Sequence, residues 1–341
     1  MKILSLNIRG MGSGKNSKFG DLKKLCISER PSIFAIQESK CHFKDENWVQ
    51  ALWGSKDCGN IQKEMVGKSG GQFLIWDKTV FEASSELISE FFITIRGFWK
   101  SSKEESIIVN VYGPHDDASK RKLWESLDNI LGIDEVSWVL CGDFNEVRDS
   151  SERLNCEFVE NRAKRFNEVI EKHGLIDVPL GGRKFTRVSK DDRKMSKLDR
   201  FLVSNKFLAL WSGIKVVPLD RDLSDHCPIV LSDGDINFGL KPFKLFDEWF
   251  RVEGVEKIIE QYWGEDLVGS RKDCVFRNKL KRLKGCLKEW SKGKFGNLEV
   301  DISNSKKEAM GLEIKAESGT LSDGEYVRWL ESRKNGLKMR K

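Results

Sequence analysis

The stretch that most constrains the fold of this chain is Trp138–Asn145, where four apolar residues lead into a glycine, an acid and, two residues later, an amide. The apolar run predicts a buried strand, and Gly142 allows the backbone to turn at the end of that strand. Because side chains at i and i+2 of an extended segment point the same way, Asp143 and Asn145 are expected to face one site. Their oxygens suit Mg²⁺ and phosphate, although an ordinary turn after a core strand could carry the same residues.

Similar apolar runs alternate with amphipathic helical patterns over the first two thirds of the chain. We predict strands at residues 3–8, 32–38, 70–76, 91–95, 106–112, 197–203 and about 227–231, a short strand from Phe185, and helices at 17–29, 118–131 and 162–173. A strand, helix, strand order indicates an α/β layered fold. Beyond about residue 235 the spacing becomes helical, so we predict one domain over residues 1–235 and a basic helical extension over 236–341.

The composition excludes several classes of protein. No run of about 18 apolar residues is present, and Met1–Asn7 is too short and too polar for a secretory signal. The eight cysteines form no CxxC pair, which argues against a zinc site and for reduced thiols. We therefore expect an intracellular monomer, nuclear or cytoplasmic, that is neither secreted nor bound to a membrane.

The net charge of +6 is unevenly distributed along the chain. Residues 271–341 carry 19 Lys and Arg against 10 Asp and Glu, which leaves 40 basic and 43 acidic groups in the first 270 residues. A basic tail attracts nucleic acid, but a solvated, lysine-rich helical surface gives the same composition.

Polar residues stand at the ends of the predicted strands, and they are of the types that phosphodiester cleavage requires. They are Asn7, Glu38, Tyr112, Asp143, Asn145, Asp199, Asp225 and His226. Glu38 and Asp225 would hold a divalent metal ion. Asp143 would act as a base on a water that Asn145 orients. His226, Asn7 and Tyr112 would donate to the phosphoryl oxygens. A buried Asp199 would fix the tautomer of the imidazole.

Several of these residues also have a purely structural interpretation. Glu38 fits a surface acid after a strand, and Tyr112 fits an aromatic at the edge of the core. Asp199 could cap a turn or pair with Arg200. A single histidine such as His226 is more often structural than catalytic.

Six short motifs occur in the first 235 residues: Leu6–Gly10, Ile36–Glu38, Asn110–Pro114, Gly142–Asn145, Leu198–Phe201 and Ser224–Ile229. In this order and spacing they resemble the endonuclease/exonuclease/phosphatase family. The sequence is most similar to the apurinic-like endonuclease domain of plant non-LTR (LINE-type) retrotransposon polyproteins. Six motifs in order are far more specific than any one of them.

The resemblance implies a four-layer α/β sandwich, in which two facing mixed β-sheets are flanked by helices, followed here by the helical extension. It implies Mg²⁺, with Mn²⁺ as an alternative, at Glu38 with Asn7 and Asp225 near it. It also implies contacts of Tyr112 and Asn145 with the phosphate, Asp143 beside the attacking water, and a dyad of His226 and Asp199.

Two positions depart from the patterns of related sequences. Members of the apurinic type carry an aspartate two residues after the first asparagine, whereas this chain has Arg9. This arginine is similar to that of the retrotransposon branch and puts strong abasic-site activity in doubt. Many such elements carry a tryptophan after the threonine that matches Thr186, whereas this chain has Arg187.

The function implied by the resemblance is that of a Mg²⁺-dependent hydrolase that nicks DNA and leaves a 3′-hydroxyl. Two alternatives remain open: a phosphodiesterase or phosphatase of the same fold that acts on RNA or small phosphoesters, and a catalytically silent retrotransposon remnant. The chain has no YxDD-like motif, so we expect a truncated or domesticated fragment without a reverse transcriptase. We expect the helical extension to be partly disordered by itself.

Overall fold

The computed structural model describes residues 1–12, 17–67, 69–131, 136–189, 193–234, 249–250, 252, 254–264, 272–318 and 321–338. The chain divides into two compact units, Met1–Ile236 and Asn237–Lys341. The first unit contains the β-strands, and the second is helical.

The strands of the first unit are β1 (Lys2–Asn7), β2 (Ile33–Gln37), β3 (Cys58–Val66), β4 (Ser69–Asp77), β5 (Phe81–Ile88), β6 (Phe92–Trp99), β7 (Glu105–Tyr112), β8 (Ser137–Asp143), β9 (Arg153–Leu154), β10 (Leu175–Asp177), β11 (Arg187–Val188), β12 (Met195–Ser196), β13 (Asp199–Ser204), β14 (Ile214–Pro218) and β15 (Ile229–Asp233). Its helices are α1 (Phe19–Glu29), α2 (Glu46–Trp53), α3 (Asp117–Ile130), α4 (Glu160–Lys172) and α5 (Asn205–Leu210).

These strands form two six-stranded mixed sheets. The first sheet has the order β14-β15-β1-β2-β4-β3, and the second has the order β10-β13-β8-β7-β6-β5. Each sheet has one parallel pair at its centre, β1 with β2 and β7 with β8, connected through α1 and α3 respectively. Parallel pairs bring the carboxyl ends of neighbouring strands to the same edge, which is where polar side chains from different strands can meet.

Three apolar cores hold the layers together. One core lies between the sheets and joins residues such as Ile3 and Leu74 of the first sheet to Ile108 and Phe201 of the second. A second core packs the second sheet against α3 and α4, and a third packs the first sheet against α1 and α2. The predicted four-layer sandwich with a helical extension is therefore confirmed.

A buried polar contact crosses from one sheet to the other next to the strand ends. The side-chain amide of Gln37 on β2 donates to Asn110 Oδ1 on β7 at 2.7 Å. The amide of Asn110 in turn donates to the carbonyls of Ile36 (3.1 Å) and Phe73 (2.9 Å). A buried amide without hydrogen-bond partners would lower the stability of the fold. These bonds therefore fix the position of one sheet relative to the other.

The structure differs from the sequence pattern mainly in local boundaries. Helix α2, which the pattern does not predict, begins after Asp45, whose carboxylate accepts from the Trp48 backbone amide at 2.8 Å as an N-cap. The strand predicted from Phe185 starts at Arg187, and the one predicted from about residue 227 starts at Ile229. Both shifts are within the usual uncertainty of element ends.

The second unit contains α6 (Val255–Gly264), α7 (Lys272–Ser318) and α8 (Asp323–Lys338). Trp329 on α8 is fully buried, and its ring lies 5.9 Å from that of Tyr326. In the part of the chain that the structure describes, the helices lack the combination of length and apolar content that crossing a membrane requires.

Candidate active site

The strand ends of the two sheets bring most of the predicted site residues to one region. β1 ends at Asn7, Glu38 follows β2, β7 ends at Tyr112, and β8 ends at Asp143. In the second sheet, the register places Asp143 opposite both Tyr112 and Asp199. Asp225 and His226 precede β15, which pairs with β1.

The carboxylate of Asp143 is the hub of this region. Its Oδ2 accepts from the Asn7 side-chain amide at 2.8 Å, and its Oδ1 accepts from the Asn145 backbone amide at 2.9 Å. His226 Nε2 lies 3.8 Å from the same Oδ2. Burial raises the pKa of Asp143 above its usual value, Asp199 raises it further, and His226 opposes both. A carboxylate with a raised pKa is a better proton acceptor, so Asp143 suits a general base.

His226 and Asp199 form the predicted dyad. His226 Nδ1 lies 2.8 Å from Asp199 Oδ2, and both side chains are buried. Burial lowers the pKa of His226, but the charges of Asp199 and Asp143 outweigh burial and raise the pKa to about 9. The imidazole is therefore a cation at neutral pH, held between two carboxylates. Thr186 Oγ1 accepts from the backbone amides of Leu198 and Asp199 at 3.0 Å each and so fixes the start of β13.

Asn145 is held in a strained turn by its neighbours. Its backbone adopts φ = 49°, a left-handed conformation that costs energy for a residue other than glycine. The Asn145 side-chain amide donates to the Gly113 carbonyl at 2.7 Å. The buried Lys120 of α3 donates to the Asn145 carbonyl at 2.6 Å and pairs with Glu146. These contacts hold Asn145 in the conformation in which its backbone amide donates to Asp143.

Glu38 and Tyr112 lie next to each other on the other side of the site. The Glu38 backbone is also left-handed, with φ = 50°, and its carboxylate pairs with Lys40 at 2.9 Å. Burial raises the pKa of the Tyr112 hydroxyl, and the charges of Glu38 and Asp143 raise it further. Tyr112 therefore keeps its proton at neutral pH and is available as a hydrogen-bond donor.

Asp225 has two arginines as its partners. Arg9 Nη1 is hydrogen-bonded to Asp225 Oδ2, and Arg187 Nε lies 3.5 Å from the same oxygen. The Arg9 backbone amide donates to Asn7 Oδ1 at 2.9 Å. Thus the Asn7 side chain connects two parts of the site, since its oxygen faces the Arg9 loop and its nitrogen faces Asp143.

Two basic residues of this region were missed by the sequence reasoning. Lys40 pairs with Glu38, and Lys120 supports Asn145 from a helix. Lys40 stands two residues after Glu38, but lysine at a strand end is too common to be a signal. The position of Lys120 depends on how α3 packs on the second sheet, and its sequence pattern carries no signal for this contact.

Two groups of side chains are candidates for holding a metal ion. In the described ranges, one ligand atom each from Asp143, Asp199 and His226 lie within 4.8 Å of one another. A protonated imidazole has no lone pair to offer, and the pKa of His226, at about 9, keeps it protonated at neutral pH. We therefore interpret this group as a charge-balanced acid–base cluster.

The second group consists of the oxygen ligands Glu38, Asn7 and Asp225. Carboxylate and amide oxygens are the donors that Mg²⁺ prefers. The cations that pair with these carboxylates belong to long, partly exposed side chains, since Lys40 is 37% exposed and Arg9 is 34% exposed. The chemistry of this donor set therefore fits a divalent cation.

The chain is similar to known proteins in sequence and in fold. Residues 4–226 match the Endonuclease/Exonuclease/phosphatase family. The chain belongs to this family. Enzymes of the endonuclease/exonuclease/phosphatase family are hydrolases and typically depend on a divalent metal ion. Among curated proteins, none matches the chain in sequence.

Solved structures of family members share the fold at low sequence identity. The AP endonuclease from Archaeoglobus fulgidus is similar with a TM-score of 0.53 and 16% identity, over 69% of this chain and 100% of that one. The 3′ phosphatase NExo from Neisseria, bound to product DNA hairpin, is similar with a TM-score of 0.53 and 16% identity, over 69% of this chain and 99% of that one. AP endonuclease LMAP from Leishmania major has a TM-score of 0.51 and 16% identity, over 67% of this chain and 86% of that one.

Proposed function

We propose that this chain is a divalent-metal-dependent endonuclease that nicks DNA by hydrolysis and leaves a 3′-hydroxyl. The observation that carries this proposal is the buried Asp143 carboxylate, held by Asn7 and Asn145 and facing the His226–Asp199 dyad. One proton acceptor, one cationic donor and several amide groups therefore converge on one point, as in-line attack of water on a phosphodiester requires.

Each side chain has a distinct role in the proposed reaction. Asp143 accepts a proton from the attacking water, whose oxygen bonds to phosphorus as the bond from phosphorus to O3′ breaks. The departing O3′ takes up a proton from solvent and becomes the 3′-hydroxyl, and the phosphate remains on the 5′ oxygen of the next nucleotide. The His226 imidazolium and the Tyr112 hydroxyl donate hydrogen bonds to the phosphoryl oxygens as their negative charge grows. The Asn145 amide holds the phosphate and the water in line.

Glu38, with Asn7 and Asp225, would hold the metal ion. When bound, a divalent cation supplies positive charge to the phosphoryl and departing oxygens. Before it binds, Lys40 and Arg9 balance the carboxylates of Glu38 and Asp225.

The same proposal covers organisation and origin. We assign the nuclease to residues 1–235, and we regard residues 236–341 as a connector derived, like the nuclease, from a retrotransposon polyprotein. The motifs quoted above, including Arg9 after the first asparagine, support this origin. If it acts on DNA, the protein works in the nucleus; we also expect it to be a monomer.

The test is nicking of supercoiled plasmid by the full chain, with Mg²⁺, with Mn²⁺ and with EDTA. The variants are His226→Ala and Glu38→Ala. Matched controls are His173→Ala, which breaks the 2.6 Å pair between His173, just after α4, and Asp128 of α3, and Glu29→Ala, which breaks a pair with Lys2 of 2.7 Å. We expect metal-dependent nicking that is lost in both site variants, by about 10²- to 10⁴-fold for the histidine, and retained in both controls.

Other outcomes would point to the alternatives. Faster hydrolysis of RNA or of a small phosphoester than of plasmid would favour a related phosphodiesterase with another substrate. Failure of the parent protein to cleave any of these substrates with either metal would contradict the proposal and favour a silent remnant.

A further inference from the structure

Two arginines share one carboxylate beside the proposed catalytic centre. Arg9, at the end of β1, and Arg187, on β11, both approach Oδ2 of Asp225. Asp225 directly precedes His226 in the chain. The arginine pair (Arg9 and Arg187) therefore contacts the residue next to the dyad histidine. The two arginine side chains are 34% and 37% exposed, whereas the Asp225 side chain is only 12% exposed.

The backbone holds both arginines in place. Arg9 has φ = 52°, and its amide donates to Asn7 Oδ1. Arg187 forms a bridge with His226, and the flanking amides of Val188 and Cys227 donate to the carbonyls of Asp225 (3.0 Å) and Thr186 (2.7 Å). The segment that carries Arg187 is thus joined by backbone hydrogen bonds to the segment that carries Asp225 and His226.

The shared carboxylate cannot satisfy two guanidinium groups. Each guanidinium has five N–H donors and one positive charge, whereas Asp225 supplies one negative charge. Within the described ranges, neither arginine side chain has a second protein partner. One positive charge and several N–H donors therefore remain available at the mouth of the site.

The surface around the arginine pair also carries a net positive charge. The charges of Asp225, Arg9, Glu38 and Lys40 all act on the Lys18 ammonium group, so Lys18 lies near these residues. At the mouth of the site, outside the buried dyad, the cations Arg9, Lys18, Lys40 and Arg187 outnumber the carboxylates Glu38 and Asp225. This surplus is local, because the first 270 residues as a whole carry more acidic than basic groups.

We propose that the arginine pair binds a second phosphate of the substrate strand, next to the phosphate that is cleaved. Bidentate guanidinium contacts suit a phosphate in this position. The proposal rests on the proposed nuclease function and names the residues that distinguish a polynucleotide from an ester with a single phosphate. An ester with a single phosphate fills the catalytic centre but leaves the arginine pair without a ligand.

Binding of a fluorescent DNA duplex to the full chain in EDTA tests the pair separately from catalysis. Arg9→Ala, Arg187→Ala and the double variant are compared over a range of salt concentrations. The matched control is Arg96→Ala, which is 35% exposed and pairs with Glu105 at 2.8 Å. Glu105 begins β7 and Tyr112 ends it, so this control lies about 20 Å from the site along the strand.

We expect each single variant to weaken binding on the order of tenfold, the loss of a charged hydrogen bond. The slope of log affinity against log salt should fall by about 0.9, which corresponds to one phosphate. If both arginines hold the same phosphate, the double variant loses no more slope than a single one. Arg96→Ala should match the parent protein.

A second comparison separates phosphate binding from a structural role of the pair. Asp225→Asn frees both guanidinium groups, so it should retain or increase duplex affinity in EDTA. If Asp225→Asn weakened duplex binding as much as Arg9→Ala does, the arginines would only be stabilising the loop, and the proposal would be wrong. Parental affinity and slope in both arginine variants would overturn it as well.

A third comparison uses thymidine 5′-(p-nitrophenyl phosphate), which has a single phosphodiester. Arg187→Ala should lower nicking of plasmid about tenfold more than it lowers hydrolysis of this ester, because only the plasmid offers a second phosphate. An equal loss on both substrates would contradict the proposal. If the parent protein binds the duplex through the pair but cleaves neither substrate, the proposed nuclease function fails and the binding site stands.

Discussion

The charge balance of the buried dyad makes the stability of this protein depend on pH. We consider the substitution Asp199→Asn, which keeps the size of the side chain but removes the charge that lies 2.8 Å from His226. The pKa of His226 is raised from 6.5 to about 9 in the native state, with burial opposing the charges of Asp199, Asp143 and Asp225. Without the Asp199 charge, the pKa of His226 falls, because burial is then opposed only by the charges of Asp143 and Asp225.

The magnitude follows from the difference in proton affinity between the native and unfolded states. A shift from 6.5 to about 9, at 1.36 kcal/mol for each pKa unit, corresponds to about 3 kcal/mol. The native state binds this proton more tightly than the unfolded chain does. The contribution is therefore fully present below about pH 6.5 and is lost as the pH rises through about 9.

Urea unfolding of the full chain, followed by tryptophan fluorescence between about pH 6 and pH 10, measures this contribution. We expect the free energy of unfolding of the parent, minus that of Asp199→Asn, to fall by about 3 kcal/mol across this range. His226→Gln removes the titrating group but keeps Asp143, whose raised pKa contributes with the same sign. If the free energy of unfolding of the parent depended on pH no more steeply than that of His226→Gln, the assigned ion pair would be refuted.

Three further predictions concern the fold itself. Gly142→Ala should lower the free energy of unfolding by about 3 kcal/mol, because φ is +133° and the added Cβ would lie 2.0 Å from the Val111 carbonyl oxygen. The control Gly20→Ala, in α1 with open space around it, should be neutral or stabilising; similar losses at both sites in thermal melts would contradict the steric argument. Arg200→Met should cost about 3 kcal/mol in urea unfolding, since it leaves the carboxylates of Glu152 and Asp177 without their fully buried partner; a cost below about 1 kcal/mol would show that the ion pairs are replaceable. Limited proteolysis should leave a stable core of about residues 1–235, and uniform resistance of the whole chain would contradict the proposed domain boundary.

Much of the fold and of the site could be predicted because the information is local. Continuous apolar runs such as Trp138–Cys141 mark strands that are covered on both faces, and the register then brings Asp143 opposite Tyr112 and Asp199. The His226–Asp199 pair was predicted from residue types and motif order. Its distance of 2.8 Å is a property of the folded chain.

Other contacts could not be predicted because they depend on how separate segments pack. The two arginines on Asp225 come from positions 9 and 187, and the lysine that supports Asn145 comes from α3. Pairing partners far apart in sequence leave no periodicity that a linear pattern could show.

The sequence by itself thus determined the order of most strands and helices, the α/β class and the polar side chains that stand at the strand ends, since periodicity and turn residues are encoded over a few neighbours. Only the tertiary structure decided which charges neutralise one another. The strength of a charge pair depends on distance and burial, and both are fixed only when the two sheets close over their shared core. That closure places His226 between two carboxylates and leaves the arginine pair with one carboxylate to share.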